Sequence, residues 1–156
     1  MKVTVVCVGK LKEPYLKDAV AEYAKRLSRY CKFGVVELAE SKNTSRALAD
    51  IARAKEEEGE RILHALGEGE VVVLDLGGKE IASEELADYV GKAADRGKDL
   101  YFVIGGSDGL SPAVLERADL TIRFGRITLP HQLCRVVLSE QIYRAFCIVA
   151  GSSYHK

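Results

Sequence analysis

Proline is scarce, with three residues in 156, while hydrophobic residues make up 47% and charged residues 29% of the chain. That balance excludes a disordered or fibrous protein. Long apolar runs are missing as well. Residues 71–74 and 101–104 are strand-sized, well short of the roughly 20 consecutive apolar residues a membrane helix needs, so no span is expected. The first eight residues are mostly apolar, too short a run for a signal peptide, and turn polar at Gly9 and Lys10 without a small-residue cleavage site. No signal peptide is read there, and the expected location is the cytoplasm. The four cysteines, Cys7, Cys31, Cys134 and Cys147, form no C-x-x-C pair and have no histidine at zinc spacing. Neither a redox motif nor a metal site is expected, and the thiols should be reduced and mostly buried.

What is present is a regular alternation of strand and helix patterns in a chain of 17.1 kDa, the size of a single domain spanning residues 1–156. A β-branched strand at residues 2–8 precedes a helix opened by Pro14, whose Leu16, Val20, Tyr23, Ala24, Leu27 and Tyr30 share one face. A second strand at 33–38 leads to a long charged helix carrying Ala47, Leu48, Ile51, Ala54, Ile62, Leu63 and Leu66, with Gly59 as a potential interruption. Its Glu56-Glu57-Glu58 run reads as a solvated face, and His64 as a surface residue. The third strand, 71–76, is apolar apart from Asp75, the pattern of a strand covered on both faces, and should end at Gly77-Gly78-Lys79. Ser83 is placed to cap the next helix, and a fourth apolar strand at 100–104 runs into Gly105-Gly106-Ser107-Asp108-Gly109. Ser111 and Pro112 open a short helix, residues 120–124 form a fifth strand, and a last helix runs from about 131 to 150. The last helix has two apolar sides, Leu133, Val137 and Cys147 on one and Leu138, Ile142, Ala145 and Val149 on the other. One can cover the sheet, and the other predicts a homodimer through this helix. The fold class is α/β with a mostly parallel sheet, and ligand sites are expected beyond the carboxyl ends of its strands.

The glycine-bearing loops at that end match no nucleotide fingerprint. Gly77-Gly78-Lys79 lacks the P-loop frame, and the 105–109 loop lacks G-x-G-x-x-G, which disfavours an NTPase and a dinucleotide enzyme. Gly105 and Gly106 can let backbone groups approach a flat ligand, with Asp108 and Gly109 making the turn. No serine, cysteine or carboxylate pair has the setting of an activated nucleophile, so hydrolase chemistry has little support. His131 stands at the start of the last helix and His155 in the terminal Tyr154-His155-Lys156. A polar tail with an aromatic suits RNA through phosphate contacts and base stacking.

The formal net charge of zero hides a segregation. Residues 121–156 carry Arg123, Arg126, Arg135, Arg144 and Lys156 against Glu140 alone, a net of +4, while the first 120 carry 18 basic and 22 acidic residues. The carboxyl-terminal quarter is therefore expected to face a polyanion.

The stretch Leu129-Pro130-His131-Gln132, continuing through Arg135-Val136-Val137-Leu138 and Glu140-Gln141-Ile142-Tyr143-Arg144-Ala145-Phe146 to the terminal Tyr154-His155-Lys156, closely resembles the small bacterial 23S rRNA pseudouridine N3-methyltransferases of the SPOUT superfamily. Residues 8–12 and 102–110 extend the resemblance over essentially the whole chain. It implies a SPOUT-type α/β fold with a trefoil knot at the carboxyl-terminal end, a homodimer, and S-adenosylmethionine as methyl donor. Carried over by position, the cofactor site comprises Leu74, Gly105, Phe124, Gly125, Arg126, Ile127, Thr128 and Leu129. The implied substrate is a pseudouridine in helix 69 of 23S rRNA within the assembled 70S ribosome. His155, Tyr154 and Arg144 are assigned to catalysis, with His155 assisting at N3 or positioning the base and Tyr154 stacking; Arg135, His131 and Lys156 are assigned to RNA. The terminal Lys156 stands where some relatives carry Arg, which bears only on bidentate contacts there. Two alternatives remain: a non-catalytic dimeric ribosome-binding module of the same fold, and a methyltransferase acting on tRNA.

Overall fold

The computed structural model describes residues 1–155; the side chain of His155 and all of Lys156 lie outside the described residues. In chain order the elements are β1 (Lys2–Val8), α1 (Pro14–Leu27), β2 (Lys32–Leu38), α2 (Leu48–Ala65), β3 (Glu70–Glu80), α3 (Ser83–Asp95), β4 (Leu100–Ile104), α4 (Pro112–Arg117), β5 (Leu120–Arg123), α5 (His131–Val149) and a 3-10 turn at Ser153–His155. The five strands pair in the order β2-β1-β4-β3-β5, and every pair is parallel.

Helices cover both faces, which is why β1, β3 and β4 are continuous apolar runs. On one face, α1, α3 and α5 bury Leu27, Leu86, Val90, Leu138 and Ile142 against Val3, Val5, Phe102 and Val72. On the other, α2 and α4 bury Ile62 and Val114 against Val6, Val73 and Val103. The direction of each crossover matches its face. The steps β1 to β2 and β3 to β4 move one way along the sheet through α1 and α3, while β2 to β3 and β4 to β5 move the other way through α2 and α4. Such pairing is what a single crossover handedness demands. It sends the chain leaving β3 and the chain leaving neighbouring β4 to opposite faces, opening a crevice between them.

Several expectations need correction. Strand β3 does not end at Gly77-Gly78-Lys79. Leu74 pairs with Ile122, residues 75–78 bulge out, and Lys79 pairs with Ile122 again before Glu80 joins Arg123. Gly78 permits this because a Cβ there would meet the backbone of Thr121 and Ile122 at 2.7–2.8 Å. Ser83 does not cap α3. Ala82 is the N-cap residue, Glu85 reaches back to accept its N–H at 2.8 Å, and the Ser83 hydroxyl instead donates to Gln141 on α5. Gly59 does not interrupt α2; it is buried where Ser111 leaves no room for a Cβ. The acidic run is only partly solvated. Glu58 is 7% exposed and accepts the Ser41 N–H, and burial foremost, with Glu40 and Asp108 nearby, holds its carboxyl above the usual range.

The two apolar sides of α5 are also largely accounted for within one chain. The helix packs against both α1 and α3 as well as the sheet, so Leu138, Ile142, Ala145 and Cys147 are all buried. Leu133 and Val149 are left exposed. At α4, Ser111 accepts the Val114 N–H as the expected N-cap. The cysteines are free thiols, and no described helix is long and apolar enough to cross a membrane.

Candidate functional site

A cavity of about 760 Å³ lies beyond the carboxyl ends of β3, β4 and β5. That is where the crossover directions diverge, and the size lies within the range of cofactor sites. Most of its wall comes from three segments. The bulge after Leu74 contributes Asp75 and Leu76, the loop after β4 contributes residues 105–110, and residues 124–131 carry the chain from β5 into α5.

Local sequence explains each wall. Gly105 is buried, and a Cβ on it would meet Leu110 at 2.8 Å and the Gly109 carbonyl at 3.1 Å. Gly109 donates its N–H to the Gly106 carbonyl with φ +86°, which closes the turn. Gly125 has φ +128°, a conformation open essentially to glycine, where the chain leaves β5. The lining is mostly apolar: Leu74, Ile104, Ile122, Phe124 and Leu129 can enclose a flat ring, while the loop backbone supplies polar groups.

Of the expected cofactor residues, Leu74, Gly105, Phe124, Gly125, Ile127, Thr128 and Leu129 line the cavity; Arg126 is exposed and is not in its wall. His131, assigned to RNA, is in the wall instead. Cys134, one turn further along α5, also lines it, and burial pushes its thiol up to about 11, so it is no nucleophile near neutral pH. The sequence reading missed Cys134 and missed Lys55, which arrives from α2. Cys134 carries a helical signal, one turn after Pro130. Lys55 carries none, because α2 precedes all three loops.

The other assigned residues gather elsewhere. Arg144, on the far half of α5, and Tyr154, in the 3-10 turn that follows, sit together. The Arg144 Nε donates to Glu140 Oε1 at 2.9 Å, the Tyr154 hydroxyl donates to the same oxygen at 3.3 Å, and the guanidinium lies 5.1 Å above the Tyr154 ring. Tyr154 also packs edge-on against Tyr143, at 4.7 Å between centroids. Burial foremost, with Tyr23 and Glu140 beside it, pushes the Tyr154 phenol up to about 12. At 1.5 Å per residue, Arg144 is about 15 Å along the helix from Cys134, so one chain does not bring this cluster to its own cavity. The assigned His155 side chain and Lys156 fall outside the described residues.

Arg135 does not present a free cation to RNA. It is 1% exposed, donates to Glu37 Oε2 at 2.6 Å and to the Gly9 carbonyl at 3.1 Å, and so ties α5 to the ends of β1 and β2. Burial alone would raise the Glu37 carboxyl, but the Leu11 N–H and Arg135 outweigh it and hold the group below its usual range. Arg123 likewise turns to the Leu76 carbonyl and Glu80, and Arg144 to Glu140. Most of the carboxyl-terminal positive charge is thus paired inside the chain.

A parallel sheet with its cavity at these loops and no nucleotide fingerprint describes a class, and comparison with known proteins agrees. A family model described as "Predicted SPOUT methyltransferase" matches residues 1–155, and the chain belongs to this SPOUT methyltransferase family. Within the family, it is 56% identical over 161 residues to the protein from Limosilactobacillus reuteri named "Ribosomal RNA large subunit methyltransferase H", with all of both chains covered. The protein of the same name from Bifidobacterium adolescentis is 49% identical over 159 residues, again with full coverage. Among solved structures, the tRNA (m1G37) methyltransferase of Aquifex aeolicus matches with a TM-score of 0.55 at 12% identity, covering 92% of this chain and 70% of that one. A putative methyltransferase of Legionella pneumophila, solved with bound SAM, matches with a TM-score of 0.51 at 12% identity, covering 96% and 66%. At such identities these structures speak to the fold alone.

Proposed function

We propose that the protein transfers a methyl group from S-adenosylmethionine to N3 of a pseudouridine in helix 69 of 23S rRNA, within assembled ribosomes in the cytoplasm. The observation that carries the reading is full-length identity of 49–56% to proteins named as large-subunit rRNA methyltransferases. The cavity fits the donor: its volume, its apolar slot, and the close backbone at Gly105 and Gly125 suit an adenosine held without a dinucleotide fingerprint.

When bound, the donor supplies a methyl on a positively charged sulfur that leaves neutral. The protein's part is to align the base and handle the N3 proton. Leu74, Gly105 and, from the 124–129 loop, all but the exposed Arg126 would hold the adenosine; His155 is assigned to N3, and Tyr154 and Arg144 to holding the base or its phosphate. Tyr154, with its phenol at about 12, stays neutral near pH 7 and serves as a stacking surface and hydrogen-bond donor, leaving the proton to His155.

The roughly 15 Å between the Arg144–Tyr154 cluster and the cavity supports a homodimer in which the second copy's tail meets this copy's cavity. Exposed Leu133 and Val149 on α5 favour that contact. The same reading includes a carboxyl-terminal trefoil knot. In its favour, β5 is the edge strand beside β3 and carries the chain from α4 on one face of the sheet to α5 on the other.

Transfer of labelled methyl to 70S ribosomes carrying or lacking the helix 69 pseudouridines, beside free large subunits and tRNA, tests the function. Label confined to pseudouridylated ribosomes is expected. Label in tRNA would overturn the target, and donor binding without any transfer would leave a ribosome-binding module.

A further inference from the structure

The ionisable side chains in the cavity wall are not equally committed. Arg123 is turned to Leu76 and Glu80, and Asp75 accepts the N–H of Gly77 at 2.8 Å. Lys55 and Asp108 also line the cavity, yet neither forms an ion pair or side-chain hydrogen bond with any described residue. They belong to the same end of it. Glu58, one turn along α2 from Lys55, lies beneath the 105–109 loop, where a Cβ on Gly106 would sit 3.0 Å from its Oε1. The α2 turn that carries Lys55 therefore faces the loop that carries Asp108. Much of the remaining lining, from Leu74, Ile104, Ile122, Phe124 and Leu129, is apolar, with Ser107, Thr128 and His131 as its other polar side chains.

An adenosyl amino acid is built the same way, with a flat heteroaromatic ring at one end and a zwitterion at the other. We propose that Lys55 and Asp108 recognise the amino-acid end of the methyl donor, the Lys55 ammonium taking the α-carboxylate and the Asp108 carboxylate the α-ammonium. This deepens the methyltransferase reading and rests on it. A cation and an anion, each without a partner, at one end of a largely apolar cavity suit a ligand of both charges better than a phosphate, which Asp108 would repel. The assignment adds α2, a segment before all three cofactor loops, to the donor site.

Calorimetric titration with two ligands tests it. S-adenosylhomocysteine carries the amino-acid end, and 5′-methylthioadenosine lacks it. Lys55→Met keeps most of the side-chain stem and should weaken S-adenosylhomocysteine about tenfold, the scale of one charge-assisted hydrogen bond, while leaving methylthioadenosine unchanged. Asp108→Asn should act in the same direction, and Lys55→Arg should restore most of the affinity. Near-ultraviolet circular dichroism checks that each variant is folded. Equal weakening of both ligands, or none for S-adenosylhomocysteine, would overturn the assignment; a raised KM for ribosomes with unchanged nucleoside binding would make Lys55 an RNA contact instead. Failure of the unaltered protein to bind either ligand would overturn the donor reading itself, a result distinct from all of these.

Discussion

Arg135→Met separates a structural arginine from an RNA contact. The substitution keeps much of the side-chain stem and removes a guanidinium that is 1% exposed and bonded to Glu37 and the Gly9 carbonyl. Removing one member of a buried ion pair costs about 3–5 kcal/mol when the other charge is stranded. Here the Glu37 side chain is 35% exposed and still accepts the Leu11 N–H at 2.8 Å, so its charge keeps some water and one donor. That places the loss near the lower end, at about 3 kcal/mol. At roughly 2–4 °C per kcal/mol for a domain of this size, the melting midpoint should fall by about 6–12 °C. Thermal melts followed by near-ultraviolet circular dichroism, with urea titration at unchanged m, measure it. Adding Glu37→Gln should recover part of the loss, because no unpaired carboxylate then remains. A melting midpoint within about a degree of the parent, accompanied by a raised KM for ribosomes, would refute the reasoning and return Arg135 to the RNA surface.

Three further outcomes follow from the geometry. Gly105→Ala drives a Cβ to 2.8 Å from Leu110 and 3.1 Å from the Gly109 carbonyl, so the loop must shift; donor affinity by calorimetry should drop at least about tenfold, and an unchanged Kd would contradict the loop's role. Glu58 is held above its ordinary range by burial foremost, so the protonated acid favours the fold; that contribution is complete below the unfolded-state value and fades as pH rises through the folded one. Glu58→Gln should therefore melt higher than the parent near pH 8 and converge with it toward about pH 4, and a variant that melts lower at pH 8 would refute this. Tyr154→Phe should lose the hydroxyl's contacts with Glu140 and Tyr23 and leave the pH profile of methyl transfer unchanged between about pH 6 and 9, since a phenol at about 12 does not titrate there; a lost or displaced limb would place Tyr154 in the proton path.

Much of the layer order was legible because continuous apolar runs and period-3.6 patterns follow burial directly, as in 2–8, 100–104 and the α1 stripe. The same holds for the loops of the site, since glycines after strands mark turns. What failed depended on distant partners. Gly77 and Gly78 read as a stop, yet the strand resumes because β5, some forty residues later, lies close enough to accept only a glycine. Arg135 reads as a surface cation until Glu37, 98 positions earlier, is seen beside it. Glu58 looks like its solvated neighbours because nothing local reveals the 105–109 loop above it. The +4 charge of the carboxyl-terminal quarter was counted correctly but does not all lie on the surface, since Arg123 and Arg135 are matched by Glu80 and Glu37, acids from outside that quarter. Lys55 had no signal at all, as helical spacing cannot say which cavity a turn will border.

The most direct test of the central claim is to locate the methyl group. Ribosomes treated with the purified protein and S-adenosylmethionine can be digested, and the fragment containing helix 69 examined by tandem mass spectrometry. One added methyl on the pseudouridine base at N3, absent without the protein, is the predicted result. A methyl at another nucleotide, in another RNA, or on the ribose would contradict it.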